Sequence, residues 1–285
     1  MTVEKIAIMV DSGCDVPREY REKYNMYVAP LTIIYKDAEY QDGIDIDPET
    51  VYARFSEEVP STSLPSPATV TELFKQIKAD GFEKVIVVVI SSGLSGTFNM
   101  LSNFGPEPEG LEAYYVDTKN IGIGSGLTAI RAGELIEQGL PFAEVCRQAE
   151  FAVKNTKIFF CVATLEYLVK GGRIGRVAGM VGMLLDVKPV ISCNEDGIYD
   201  TVGKARGREK SLKLALEKAV EFAEGAKEYN IAVVQGAAEA EGKALMAAMK
   251  ERLPDFRYAI EEQLTPALVV HTGPGLIGIG VQRLA

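Results

Sequence analysis

Val85-Ile86-Val87-Val88-Val89-Ile90 runs without a break into Ser91-Ser92-Gly93-Leu94-Ser95-Gly96-Thr97. Six apolar residues with no polar alternation describe a strand covered on both faces, as in a parallel sheet packed between helices. Its neighbours fit that setting. Upstream, Ser66-Pro67 is a helix start (an N-cap hydroxyl and a first-turn proline), followed by Val70, Leu73, Phe74 and Ile77 on one helical face. Earlier still, Lys5 to Val10 is a second apolar run ending in Asp11-Ser12-Gly13; Pro17 opens a short helix from Arg18 to about Tyr24, and Val28 to Tyr35 is extended. Asp47-Pro48-Glu49 starts a further helix carrying Val51, Tyr52 and Phe55. Downstream come a strand at Tyr114-Tyr115-Val116 and a helix around Leu127 to Ile136. Strands alternating with helices predict an α/β/α sandwich with a mostly parallel sheet.

The second half changes character. Lys157 to Val162 is extended, and Leu165 to Lys170 is a short helix ended by Gly171-Gly172. Lys188 to Ser192 and Gly197 to Ala205 are strands joined by Asn194-Glu195-Asp196-Gly197. Helices near Leu212–Glu224 and Gly242–Leu253 flank a strand at Ile231–Gln235, and two apolar runs, Ala267 to His271 and Ile277 to Val281, sit across a Gly-Pro-Gly turn. The prediction is two domains: residues 1–156, an N-terminal α/β domain, and residues 157–285, a smaller mixed α+β domain.

Forty acidic against 30 basic side chains give a net charge of −10 over 285 residues. That balance argues against nucleic acid or an anionic membrane surface as the main partner. Four cysteines lie far apart with no C-x-x-C, and with one histidine, His271, a Cys/His zinc site is not expected. No charged-then-apolar leader follows Met1, and no apolar run nears the ~18 residues of a membrane span, so a reduced cytoplasmic protein is expected.

Two loops are rich in hydroxyls. Ser91 to Thr97 follows the strongest strand, at the carboxyl end where open sheets bind ligands, and its glycines allow a nest of N–H groups for an anion. The alternative is a plain strand-to-helix turn. Ser61-Thr62-Ser63-Leu64-Pro65-Ser66-Pro67 is the second; Ser66 is explained as a cap, Ser61 to Ser63 are not. Gly93-Leu94-Ser95-Gly96-Thr97 departs from the nucleophile elbow G-x-S-x-G at Thr97, and His271 lies downstream, so a lipid or ester hydrolase using Ser95 and His271 is the enzymatic rival. Gly105-Pro106, soon after Thr97, counts against it. A lone histidine is more often structural than catalytic. A small-molecule sensor with a polar ligand is a third reading. Gly273 to Gly278 matches G-x-G-x-x-G only formally, because no βαβ unit fits before Ala285, and no P-loop occurs. Asp42 to Glu49 is acid-rich but lacks the EF-hand glycine, and is expected to be a solvated loop and helix cap. Arginines in Gly171-Gly172-Arg173-Ile174-Gly175-Arg176 and Lys204-Ala205-Arg206-Gly207-Arg208 are solvated or phosphate-recognising.

Taken in order, Val10-Asp11-Ser12, Thr62-Ser63, Ser92-Gly93-Leu94-Ser95-Gly96-Thr97, Val116-Asp117-Thr118, Leu165-Glu166-Tyr167-Leu168, Gly171-Gly172-Arg173-Ile174, Lys188-Pro189, Arg206-Gly207 and His271-Thr272-Gly273-Pro274-Gly275 resemble the DegV family across the whole chain. Its better-understood members are fatty-acid-binding subunits of bacterial fatty acid kinase. The resemblance implies a palmitate-like acyl chain enclosed between the two domains. Its carboxylate would be held by Thr62 and Ser95, with His271 near the head group and Ser63 and Gly96 beside them. Arg173 and Arg206 would face a separate ATP-binding kinase subunit. No catalytic residue, cofactor or metal is implied, nor stable membrane insertion; the fatty acid is the ligand. Leu64 and Phe98 depart from the family pattern, where a polar residue and tyrosine are usual, and would alter the lining.

The energetics suit a carrier. Burying about 15 methylenes at ~0.8 kcal/mol each is worth on the order of 12 kcal/mol before ordering costs. Hydroxyl donors to the carboxylate add about 1.5–3 kcal/mol each.

Overall fold

In the computed structural model, residues 4–104, 110–182 and 186–284 are described. The chain order in the first half is β1 (Ile6–Asp11), α1 (Arg18–Lys23), β2 (Tyr27–Ala29), β3 (Thr32–Ile34), β4 (Glu39–Gln41), α2 (Pro48–Arg54), β5 (Ser61–Ser63), α3 (Pro67–Ala79), β6 (Lys84–Val89), α4 (Thr97–Phe104), β7 (Glu112–Asp117), α5 (Ile123–Glu137) and α6 (Phe142–Lys154). It continues with β8 (Thr156–Cys161), α7 (Glu166–Lys170), β9 (Val187–Cys193), β10 (Tyr199–Arg206), α8 (Arg208–Ala223), β11 (Glu228–Gly236), α9 (Glu239–Arg252), β12 (Phe256–Gln263), α10 (Pro266–Thr272) and β13 (Leu276–Leu284). Among the described residues, no helix is long and apolar enough to cross a membrane.

The run at Val85 to Val89 is the interior strand β6 of a four-stranded sheet ordered β2-β1-β6-β7, parallel throughout. The later strands form a second, mixed sheet ordered β10-β9-β8-β13-β11-β12, in which only β11 and β12 pair in parallel. A third, small antiparallel sheet has the order β4-β3-β5.

Between the two large sheets lies α5, buried from Ile123 to Ile130 and again from Ala132 to Leu135. A helix buried on every side must bring backbones close, which explains its Gly124, Ser125, Gly126, Ala129 and Gly133. One continuous core runs from Ile8, Val10, Ile86 and Val88 of the first sheet, through Leu127 and Ile130 of α5, to Ile158, Phe160 and Val234 of the second. The outer face of the first sheet packs Val85, Val87 and Met9 against Phe74 and Ile77 of α3. The outer face of the second packs Phe159, Ile231 and Ile279 against α8 and α9. Period-two alternation makes this work: Ile158 and Phe160 face one core, Phe159 and Cys161 the other.

Both helix starts behave as their residues require. Asp47 accepts the Thr50 N–H at 2.7 Å and Ser66 the Thr69 N–H at 3.0 Å. Other expectations need correction. Val28 to Tyr35 is two strands in different sheets, because Pro30 cannot donate to a ladder. Ser61 to Ser63 is not loop but β5, paired with β3 in register Ile33 to Thr62. The apolar run Ala267 to His271, to which its sequence assigns no secondary structure, is helical, α10, with Pro266 in its first turn. Asp42 is not solvated: it is 2% exposed and accepts the Ala267 N–H at 2.9 Å. The Gly105-Pro106 break lies outside the described residues.

Candidate functional site

A cavity of about 210 Å³ opens between the sheets. Its floor belongs to the second sheet and follows from β13. Leu276 and Gly278 alternate with Ile277 and Ile279, which face α8 and α9. Gly278 is flanked across the ladder by Phe160 of β8 and Val234 of β11. A missing side chain between two large ones leaves a trough, and all three residues line the cavity. A Cβ at Gly278 would meet Val234 at 2.8 Å, Ile158 at 3.5 Å and Phe160 at 3.6 Å. Two residues along, the space over Gly280 is taken by Ile123 and Leu127 of α5. The apolar end therefore closes against α5.

The other end is polar. Thr62 Oγ1 lies 2.7 Å from His271 Nε2, joining β5 to α10 across 209 residues of sequence. Gly171 abuts the His271 ring, since a Cβ there would run into Nδ1. The Gly171 carbonyl accepts from Arg173 Nη1 at 2.7 Å, and Arg173 Nε donates to the Leu94 carbonyl at 3.2 Å. Leu94 precedes Ser95, so Thr62, His271, Arg173 and Ser95 form one connected cluster, and all four line the cavity with Ser63. Burial, and then the Arg173 charge, push the His271 pKa down to about 4. The imidazole is therefore neutral near pH 7, and Arg173 is the cluster's formal charge.

Of the residues expected at the head group, Thr62, Ser63, Ser95 and His271 come together here, and Gly96 does not. Gly96 packs beside Leu64, 3.5 Å from a Leu64 methyl to the position of its missing Cβ. Arg173 belongs to this cluster, whereas Arg206 is exposed on the edge strand β10. Leu64 lines the cavity; Phe98 packs instead against the outer core of the first sheet.

The anion nest is not formed. The N–H of Ser91 bonds Asn120, that of Ser92 bonds Asp117, and that of Gly93 bonds Ser91 Oγ. Those of Leu94 and Ser95 bond the Ser91 carbonyl. Ser91 Oγ donates to the Gly197 carbonyl at 2.8 Å. A Cβ on Gly93 would lie 2.8 Å from the Asp196 carbonyl oxygen. The glycine is needed for close approach to the β9–β10 turn, and the N–H groups from Ser91 to Ser95 are committed within the protein. A Ser95–His271 dyad is not assembled either: Ser95 Oγ pairs with Thr97 Oγ1 at 2.9 Å, while His271 Nε2 is taken by Thr62. No group of His, Cys, Asp or Glu among the described residues is suited to a metal ion.

Sequence reading missed Phe160, Tyr199 and Gly278 in the lining. Tyr199 is buried, with its ring 5.1 Å from that of Phe160. Their signal was the strand alternation, but pointing it at a cavity required knowing which strands pair.

The family model described as an uncharacterised protein of the DegV family matches residues 5–284. A DegV domain-containing protein of Clostridium acetobutylicum is 40% identical over 97% of this chain and 98% of its own. A fatty acid-binding protein of Thermotoga maritima is 31% identical, with 98% of each chain covered. Among solved structures, a stearic acid-binding protein from Eubacterium ventriosum superposes with a TM-score of 0.85 at 28% identity, covering 98% of both chains.

Proposed function

Because this chain belongs to the DegV family, we propose that it binds one long-chain fatty acid in the cavity between its two sheets and performs no covalent chemistry alone. The observation that carries this reading is the cluster of Thr62, Ser95, His271 and Arg173 at one end of an otherwise apolar cavity. The relatives named for fatty acid and for stearic acid supply the ligand class.

In this account the Thr62 and Ser95 hydroxyls donate to the carboxylate. Thr62 can do so because His271 Nε2–H, in the neutral ring, donates to Thr62 Oγ1 and frees the hydroxyl proton for the ligand. Arg173 supplies the compensating charge, and the acyl chain lies over Gly278. We place the domain division between residues 156 and 157, where β8 enters the second sheet.

The finer part of the proposal concerns delivery. A palmitate-like acid is presented to a separate ATP-binding kinase subunit, which makes the acyl phosphate, and Arg173 and Arg206 face that subunit. The test is to load the protein with palmitate and add the host's ATP-binding partner and ATP. Trapping of an acyl hydroxamate with hydroxylamine is expected. No trapped product from a loaded protein, with a partner active on another loaded carrier, would remove the delivery step.

A further inference from the structure

Behind the cavity wall lies a group of carboxyls that the head-group site does not use. Asp11, Asp15 and Asp42 are 0%, 5% and 2% exposed. Asp15 accepts the Thr265 N–H at 3.1 Å and Asp42 the Ala267 N–H at 2.9 Å. Those bonds tie the first half of the chain to the start of α10, across 250 and 225 residues, and α10 carries His271 at its other end. Asp11 bonds elsewhere, accepting the Ile90 N–H after β6 at 3.1 Å.

Two further observations link these residues to the cavity. Gly122, a lining residue, has φ +56°, and a Cβ on it would lie 3.1 Å from Asp15 Oδ2. Asp15 is therefore one backbone away from the ligand space. Asp15 Oδ2 and Asp42 Oδ2 are also buried without a well-formed hydrogen bond, with the Thr265 hydroxyl beside Asp15 and the Ser12 and Thr265 hydroxyls beside Asp42. Buried carboxylate oxygens without well-formed hydrogen bonds are costly when charged.

We propose that Asp15 and Asp42 are positioning residues of the site: they latch α10, and with it His271, onto the first half of the chain, and the latch loosens when both become charged. The proposal deepens the fatty-acid reading and rests on it for its effect on ligand retention.

The groups facing the pair are Asp11 at the end of β1, Cys14 in the turn after it, Arg21 of α1, Tyr52 of α2 and Glu262 of β12. Burial is the largest effect on all three aspartates, raising Asp11 to about 7, Asp15 to about 8 and Asp42 to about 6. Arg21 acts in the opposite sense on Asp42. Between pH 6 and 8.5 the closed latch thus takes on charge that its burial disfavours, while His271 stays neutral.

The experiment is a chase of a bound fluorescent fatty acid, cis-parinaric acid, by excess oleate from pH 6 to 8.5. Wild-type release should accelerate by at least about tenfold across that range, since each carboxyl ionised in the open but not the closed state adds up to tenfold per pH unit. The doubly substituted Asp15→Asn, Asp42→Asn protein keeps both acceptors and cannot charge, so it should release slowly and without pH dependence. A flat wild-type profile, or a variant with the wild-type slope, overturns the proposal. Hydrogen exchange at the Thr265 and Ala267 amides of ligand-free wild type reads the latch without any lipid. Protection should fall with pH beyond the chemical rate, and constant protection overturns the latch even if fatty acid binds. A protein that takes up no lipid but loses protection loses only the ligand reading.

Discussion

Replacing Thr62 with valine isolates the head-group interaction, because the two side chains are nearly isosteric and only the hydroxyl is lost. A hydrogen bond to a charged group contributes about 1.5–3 kcal/mol, which predicts roughly tenfold to two-hundredfold weaker binding of a long-chain acid. The same change should weaken a fatty alcohol of equal length by a smaller factor, since a neutral pair contributes only about 0.5–1.5 kcal/mol. The acid-over-alcohol preference is therefore the diagnostic quantity, and displacement of a fluorescent fatty acid by each ligand measures it. The variant also loses the 2.7 Å contact to His271 Nε2. A ligand-free stability loss of about 1 kcal/mol follows, which thermal melting can register. An unchanged preference in a variant that melts normally would refute the assignment of Thr62 to the carboxylate.

Gly278→Val should narrow the trough, because Gly278 lines the cavity and a Cβ there already falls 2.8 Å from Val234. Palmitate binding should drop by roughly fivefold to 150-fold, the equivalent of about 1–3 kcal/mol of overpacking, while octanoate binding survives; equal loss of both would contradict this course for the chain. Stability should fall as pH rises from about 4 to 8, because the folded state holds protons on Asp11, Asp15 and Asp42 that the unfolded chain has released. His271, depressed to about 4, works in the opposite direction below its usual range, but it is one proton against three. A urea midpoint higher at pH 5.5 than at pH 8.5 is expected, and the reverse order would count against buried neutral carboxyls.

What the sequence disclosed followed the strength of local signals. Six consecutive apolar residues at Val85 to Ile90 have one comfortable setting, and Ser66-Pro67 and Asp47-Pro48 announce their helices through capping chemistry. Thr62, Ser95 and His271 were reachable through the family's ordered motifs. Features decided by tertiary approach were not legible. Three hydroxyl residues at Ser61 to Ser63 have no strand signal until β3 lies beside them. Asp42 resembles its solvated neighbours until Ala267 arrives from the other end of the chain. Gly93 and Gly96 suggested an anion nest, yet Gly93 answers to the Asp196 carbonyl across the interface. The trough at Gly278 depends on which residues flank it, and that is a matter of register.

The central claim is that this cavity holds one fatty acid, and native mass spectrometry of the purified protein tests it most directly, followed by organic extraction of whatever dissociates. The account predicts one long-chain acid per chain, retained through gentle purification and released on denaturation. A bare chain that also refuses added palmitate and oleate would contradict it.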